Sequence, residues 1–151
     1  MKRIICIGNA FQDGDSAGAR VLARLAEAGL PEDVEVVDGG LRDLDLLGLV
    51  EGSERVAFVD AVSGFAPPGA VIQLEGASLG KAGVDVFGHG GGFSYFLGAL
   101  PGLLGTPVPY CLVGLESPFT EGSIEVAARC ALAFASQPPA ACSGAPGPER
   151  W

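Results

Sequence analysis

The sequence predicts an α/β three-layer sandwich, a mostly parallel twisted sheet with helices on both faces. Short apolar runs rich in β-branched residues recur along the chain, and longer Ala-, Leu- and Gly-rich stretches separate them. Strands buried on both faces have this continuous apolar character, and covering helices connect them. With 151 residues and 48% hydrophobic content, the chain fits one domain with a sizeable core.

Apolar periodicity and helix-ending residues define the elements in the first half of the chain. In order, they are a strand at 3–7, a loop at 8–14, a helix at 16–28, a strand at 34–37, a helix at 41–50 and a strand at 55–59. The first helix places Val21, Leu22 and Leu25 on one stripe, with charged residues opposite. A glycine and a proline shortly after this stripe predict the end of the helix.

The second half continues the alternation and then changes composition. The predicted elements are a strand at 70–74, a helix at 92–100, a strand at 108–115 and a helix at 123–135. A Pro-Pro-Gly turn allows the strand at 70–74 to run antiparallel to its neighbour. From Gln137 onward Pro, Ala, Gly and Ser predominate, a composition that cannot bury enough apolar area to order itself. We therefore expect one α/β domain at 1–136 and a flexible tail at 137–151.

Charge and cysteine content exclude several classes of partner. The net charge is −9 and only nine Lys and Arg residues are spread along the chain, so a nucleic-acid backbone or an anionic membrane has little to bind. No apolar stretch reaches membrane-spanning length, and the four cysteines form no C-x-x-C pair. These observations predict a cytoplasmic protein that neither inserts into membranes nor binds nucleic acid.

Acidic residues follow the predicted parallel strands. Asp15 comes after the first strand, Asp38 after the second and Asp60 after the third. In open parallel sheets, ligands bind outside the carboxyl ends of the strands, so these carboxylates should share one crevice. Crowded acids repel one another unless a cation or a shared proton neutralises them. The pattern therefore favours a metal site.

The single histidine, His89, lies in a Gly-rich loop that leaves its imidazole accessible. One neutral imidazole and two carboxylates form a ligand set that suits Ni²⁺, Zn²⁺ or Fe²⁺, whereas oxygen ligands alone favour Mg²⁺ or Ca²⁺. His89 is thus the natural partner of the acids in a transition-metal site.

Each candidate also has a simpler structural explanation. Asp15 could serve as the N-cap of the helix at 16–28. Asp38, in Asp-Gly-Gly, is more readily a turn former than a ligand, and a solitary histidine such as His89 is more often structural than catalytic. Asp60 is harder to explain in this way, because an acid at the end of an apolar strand is costly to bury without a partner.

The opening of the chain resembles that of the hydrogenase maturation proteases. In residues 5–18, an apolar strand leads into Gly8-Asn9, a short loop, an acid and a helix that begins with small residues. Further matching segments follow in the family's order: Asp38-Gly39-Gly40, Phe58-Val59-Asp60-Ala61-Val62, His89 before a Leu-containing helix, and Leu112-Val113-Gly114-Leu115-Glu116. The similarity spans residues 3–135, which makes it more specific than any single motif.

The resemblance implies both a function and a set of site residues. It implies that Asp15, Asp60 and His89 are the catalytic, metal-contacting trio, with Asp38 and Asn9 as secondary candidates. It further implies a metal-dependent, aspartyl-type endopeptidase that removes the C-terminal extension of a hydrogenase large-subunit precursor after nickel insertion. The precursor then supplies the nickel, with another divalent ion as the alternative in the isolated protein.

Two alternatives have support in the sequence. The family's loop commonly carries two consecutive acids, whereas this chain has Gly14-Asp15-Ser16, which motivates a member that binds nickel or the precursor without cutting it. The second alternative is a serine hydrolase with Ser78 as nucleophile, because residues 76–80 match G-x-S-x-G and residues 89–92 match an oxyanion-hole pattern. The order of these motifs is reversed relative to α/β-hydrolases, however, and no second histidine completes a triad.

Overall fold

Strands and helices alternate along the chain in a computed structural model that describes residues 1–8, 16–40, 46–76 and 92–137. The strands are β1 (Lys2–Ile7), β2 (Val34–Gly40), β3 (Val56–Val62), β4 (Val71–Glu75) and β5 (Tyr110–Glu116). The described helices are α1 (Ala17–Ala28), α2 (Leu47–Glu51), α3 (Gly92–Leu103) and α4 (Glu121–Ala135). This alternation is the one that the apolar pattern predicts.

The strands form a five-stranded sheet in the order β2-β1-β3-β5-β4. β1, β2, β3 and β5 are parallel, whereas β4 lies at the edge and is antiparallel to β5. The antiparallel arrangement allowed by the Pro-Pro-Gly turn is thus the one observed. We call the side on which the four parallel strands end the carboxyl end of the sheet, and the opposite side its amino end.

Helices cover both faces of the sheet and bury two separate clusters of apolar side chains. Successive residues of a strand face opposite sides, so in β1 Cys6 packs with α1 and α4, whereas Ile5 and Ile7 pack with α2 and α3. On the second face, the rings of Phe58 and Phe96 meet edge to face with their centroids 6.2 Å apart. The predicted three-layer α/β class is therefore confirmed.

β2 and β3 each extend three residues beyond their predicted ends. β3 continues to Val62 instead of residue 59, because its ladder with β5 runs on through Asp60. β2 includes the predicted Asp-Gly-Gly turn, since Gly40 still pairs with Ile7 after an irregularity in the ladder. Pairing with a neighbouring strand, which local sequence does not reveal, extends both elements.

The observed helices also differ from the predicted ones at their ends. α4 begins two residues earlier than predicted, because the Thr120 hydroxyl accepts a hydrogen bond from Ser123 N and the Ser123 hydroxyl accepts one from Thr120 N. Such a reciprocal cap satisfies N–H groups that the first turn leaves unpaired. Residues 41–45 of the helix predicted at 41–50 lie outside the described residues. No described helix is both long and apolar enough to cross a membrane.

Arg55, directly before β3, ties the end of α4 to the sheet. Only 6% of this residue is exposed, and its Nε donates to the Phe134 carbonyl at 2.9 Å. The guanidinium carbon lies 4.2 Å from the centre of the Phe134 ring, and Nη2 donates to Gln137 Oε1 at 2.9 Å. Gln137, the first residue of the predicted tail, therefore contacts the domain. Residues 138–151 lie outside the described part of the chain.

Two of the thiols should be unreactive in the folded protein. Burial raises the pKa of both Cys6 and Cys111 to about 12, and for Cys6 the charges of Asp38 and Asp60 add to that effect. Because only the thiolate reacts, alkylation of these two thiols at pH 8 should be about 1,000-fold slower than that of a thiol with the ordinary pKa. Cys130 is only half-buried and should react first among the three cysteines of the described residues.

Timed iodoacetamide labelling followed by peptide mass mapping measures this order. The same labelling in guanidinium chloride is the control, since all cysteines should then react at similar rates. Rapid native labelling of Cys6 would contradict the packing of β1 against α1.

Candidate active site at the carboxyl end of the sheet

Asp38 and Asp60 both lie at the carboxyl end of the sheet but on opposite faces, so the expectation that they share one crevice is wrong for this pair. In the strand ladders Cys6 pairs with Asp38 on one side and with Val59 on the other. Asp38 and Asp60 thus lie on the two strands that flank β1, close enough for both charges to raise the pKa of the Cys6 thiol after the larger effect of its burial. Pairing of parallel strands brings together two acids that are distant in sequence.

Asp60 lies inside β3 and not after it, so the predicted position at the strand end is wrong by two residues. Alternation along the strand places its side chain on the face of Phe58 and Val62, which α2 and α3 cover. Asp60 is 7% exposed, and its Oδ1 accepts a hydrogen bond from Ala61 N at 2.8 Å. This contact provides a backbone donor of the kind that a buried carboxylate requires.

α3 runs from the carboxyl end of the sheet towards its amino end. Pro101, near the end of α3, borders the same cavity as Arg55 and Tyr110, which lie at the amino end. Nine residues of helix span about 14 Å, so α3 starts away from the amino end, on the face that carries Asp60. His89 precedes Gly92 by three residues in sequence and lies outside the described residues.

The start of α1 packs directly against the end of β1. An added Cβ at Gly18 would lie 2.2 Å from the backbone oxygen of Ile7, so no side chain separates helix and strand there. Ser16 occupies the N-cap position of α1, but its side chain makes no capping hydrogen bond. Asp15 and Asn9 themselves lie outside the described residues.

Asp38 lies within β2 and not in a turn that follows it, but its side chain makes the local backbone contact that the sequence suggests. Its exposed carboxylate accepts a hydrogen bond from Gly40 N at 2.9 Å, two residues along the chain. An acid that bonds to the backbone two residues on stabilises a turn. Alternation places Asp38 on the face of Val36, which packs with α1, whereas Asp60 lies on the opposite face.

Glu116 is a buried acid at the carboxyl end that sequence reasoning did not select. It is 6% exposed, and its Oε2 accepts hydrogen bonds from Phe65 N at 2.8 Å and Ala66 N at 3.0 Å. Asp60 pairs with Gly114, which puts the Cα atoms of Asp60 and Glu116 about 8 Å apart on one face. Glu116 could have been selected from the sequence for the same reason as Asp60, because it is an acid at the end of an apolar run.

The predicted metal trio is only partly within the described structure. Asp60 is described, whereas Asp15 and His89 are not. Within the described ranges, no three His, Cys, Asp or Glu side chains lie close enough to hold a metal ion. The Asp60 carboxylate is a suitable donor for a divalent ion, and the remaining ligands of the trio stay a prediction.

The topology disfavours the serine-hydrolase alternative. A nucleophile elbow follows a strand at the end of the sheet where the active site lies. β4 is antiparallel, and Glu75 pairs with Cys111 near the start of β5, so the chain leaves β4 at the amino end. Ser78, outside the described residues, therefore follows a strand that ends on the side opposite Asp60.

The fold and the site define an α/β protein with a candidate active site at the carboxyl end of a mostly parallel sheet. The family model for the hydrogenase maturation protease matches residues 19–133. The chain therefore belongs to the hydrogenase maturation protease family, as its resemblance predicts.

Individual relatives agree with this assignment. The hydrogenase maturating endopeptidase HybD from E. coli is 26% identical, with a TM-score of 0.65 and 88% of each chain covered. The [NiFe] hydrogenase maturation protease HycI from Thermococcus kodakarensis is 25% identical, with a TM-score of 0.60 and 88% of each chain covered. The hydrogenase expression/formation protein HupD of Rhodobacter capsulatus is 33% identical over 73 residues, which are 48% of this chain but only 35% of HupD.

Proposed function

We propose that this protein is an endopeptidase that removes the C-terminal extension of a nickel-loaded hydrogenase large-subunit precursor. The observation that carries the proposal is the buried Asp60 carboxylate, held at the carboxyl end of a sheet whose fold matches solved hydrogenase maturation proteases. Those relatives are named as an endopeptidase and a [NiFe] hydrogenase maturation protease. Membership of the family supports the same activity here.

In this proposal Asp15, Asp60 and His89 contact the nickel that the precursor carries. A carboxylate and an imidazole are both ligands for Ni²⁺, and a metal ion beside a peptide can polarise its carbonyl group or a water molecule. The nickel is then part of the substrate, and the protease recognises the precursor by it. Asn9 and Asp38 remain secondary candidates, although the turn contact of Asp38 supports a structural role.

A processing assay tests the proposal. The protein is mixed with a nickel-loaded large-subunit precursor and, separately, with the same precursor without nickel, and intact mass is followed over time. We expect shortening at the C-terminus of the nickel-loaded precursor only. If the protein binds the nickel-loaded precursor but shortens neither form, the protease proposal is overturned in favour of the non-cutting alternative.

A further inference from the structure

The loop between β3 and β4 is held in place at the carboxyl end, beside Asp60. At its first half, the buried Glu116 carboxylate accepts the N–H groups of Phe65 and Ala66. At its second half, Glu116 N donates to Ala70 O at 2.9 Å and Gly69 N donates to Ser117 O at 3.3 Å. The loop is therefore tied to the end of β5 by side chain and backbone together.

Burying Glu116 requires compensation, and the loop provides it. A carboxylate removed from water is costly unless hydrogen bonds replace its hydration, and bonds from backbone N–H groups to a charged acceptor are stronger than neutral ones. Both of these bonds converge on one oxygen, Oε2, and both come from the loop. Glu116 therefore fixes the backbone of Phe65 with respect to β5.

Phe65 is exposed although its backbone is held. Within the described residues, the large apolar side chains with substantial exposure are Met1, Phe65, Leu103 and Val126. Met1 and Leu103 lie at the amino end, and Val126 lies on α4. A single exposed apolar side chain is ordinary on a protein surface. Phe65 differs because its loop begins directly after the strand that carries Asp60.

We propose that Phe65 docks the polypeptide substrate and that Glu116 is the positioning residue that holds it there. The inference rests on the proposed function and names the substrate feature that this site recognises. An aromatic ring on a fixed loop suits an apolar side chain of the precursor near its cleavage site. The carboxylates of Asp38 and Asp60 at the same end of the sheet disfavour an acidic segment there.

The first test replaces the ring. Phe65→Ala should raise KM for the nickel-loaded precursor about tenfold and leave kcat within about twofold, because the ring contributes to binding and not to the chemistry. Phe65→Leu should restore most of the affinity. Leu103→Ala is the matched control, since Leu103 is 39% exposed and Phe65 37% but Leu103 lies at the opposite end of the sheet.

The second test separates positioning from general stability. Glu116→Ala should raise KM as Phe65→Ala does, and Glu116→Gln should restore it, because an amide oxygen can accept the same two N–H groups. The double variant Phe65→Ala/Glu116→Ala should show no further rise in KM, since both changes remove one docked ring. If Glu116 has a purely structural role, the rises in KM of the two single variants should add in the double variant. Tm should then also fall in Glu116→Ala.

Binding of the nickel-loaded precursor, measured with immobilised wild-type and variant proteins, distinguishes this inference from the proposed function. An unchanged KM and Kd for Phe65→Ala would overturn the inference and leave the protease proposal standing. A wild-type protein that binds without cutting, with binding weakened in Phe65→Ala, would support the docking role and overturn the protease proposal. Absence of both binding and cutting would overturn both.

Discussion

Asp60→Asn should abolish processing of the nickel-loaded precursor while leaving the fold intact. The asparagine oxygen can still accept the bond from Ala61 N that Asp60 Oδ1 accepts at 2.8 Å, so the thermal midpoint should change little. The substitution removes the negative charge that would contact the substrate's metal. A metal ion that polarises a carbonyl group stabilises the transition state by several kcal/mol, so loss of its carboxylate contact should lower the rate about 100-fold or more.

Asp38→Asn is the matched control for this change. It also replaces an acid by its amide at the carboxyl end, and it keeps the acceptor for Gly40 N. A turn former should tolerate the loss of charge, so the processing rate should stay within about threefold of wild type. Equal losses in both variants would show that net negative charge at this end matters, and not a specific role of Asp60. Intact-mass kinetics and thermal unfolding together decide between these results.

Gly18→Ala should destabilise the protein by about 3 kcal/mol or more. In an unobstructed helix this substitution is favourable by about 1 kcal/mol, because alanine has the higher helix propensity. Here the new methyl group would lie 2.2 Å from the oxygen and 2.9 Å from the nitrogen of Ile7, and backbone atoms cannot turn aside as a flexible side chain can. The start of α1 would have to move away from β1.

Gly98→Ala provides the opposite expectation in the same fold. Gly98 lies in α3, and a Cβ there would meet no atom within 4 Å. The free energy of unfolding should therefore rise by about 0.5 to 1 kcal/mol. Urea unfolding of both variants measures the two effects. If Gly18→Ala were as stable as Gly98→Ala, the close contact between α1 and β1 would be contradicted. The same contact brings Ser16 near the carboxyl end.

Much of the fold could be predicted because burial on both faces leaves a local signal. A strand of the central sheet needs apolar side chains on both sides, as in β1 and β5, and a covering helix needs one apolar stripe, as in α1. The same reasoning selected Asp60, since a charged residue in such a run requires a partner. The local contact of Asp38 was also predictable, because its hydrogen bond joins residues only two positions apart.

The rest depends on contacts between residues far apart in the sequence. The true end of β3 was missed because its last pairs form with β5, some fifty residues later. Glu116 was not selected because its partners, Phe65 and Ala66, belong to a loop that only the pairing of β5 with β3 brings near. The sequence around Leu115 and Glu116 does not predict that contact.

The sequence by itself determined the α/β class, the family, and the position of Asp38 and Asp60 towards the carboxyl ends of their strands, because periodicity, composition and short motifs are local properties. Only the tertiary structure decided that Asp38 and Asp60 lie on opposite faces and that β4 ends at the amino end of the sheet. It also decided that Glu116 holds Phe65 beside the candidate active site. Those outcomes depend on strand order and register, which are set by the summed packing of distant segments.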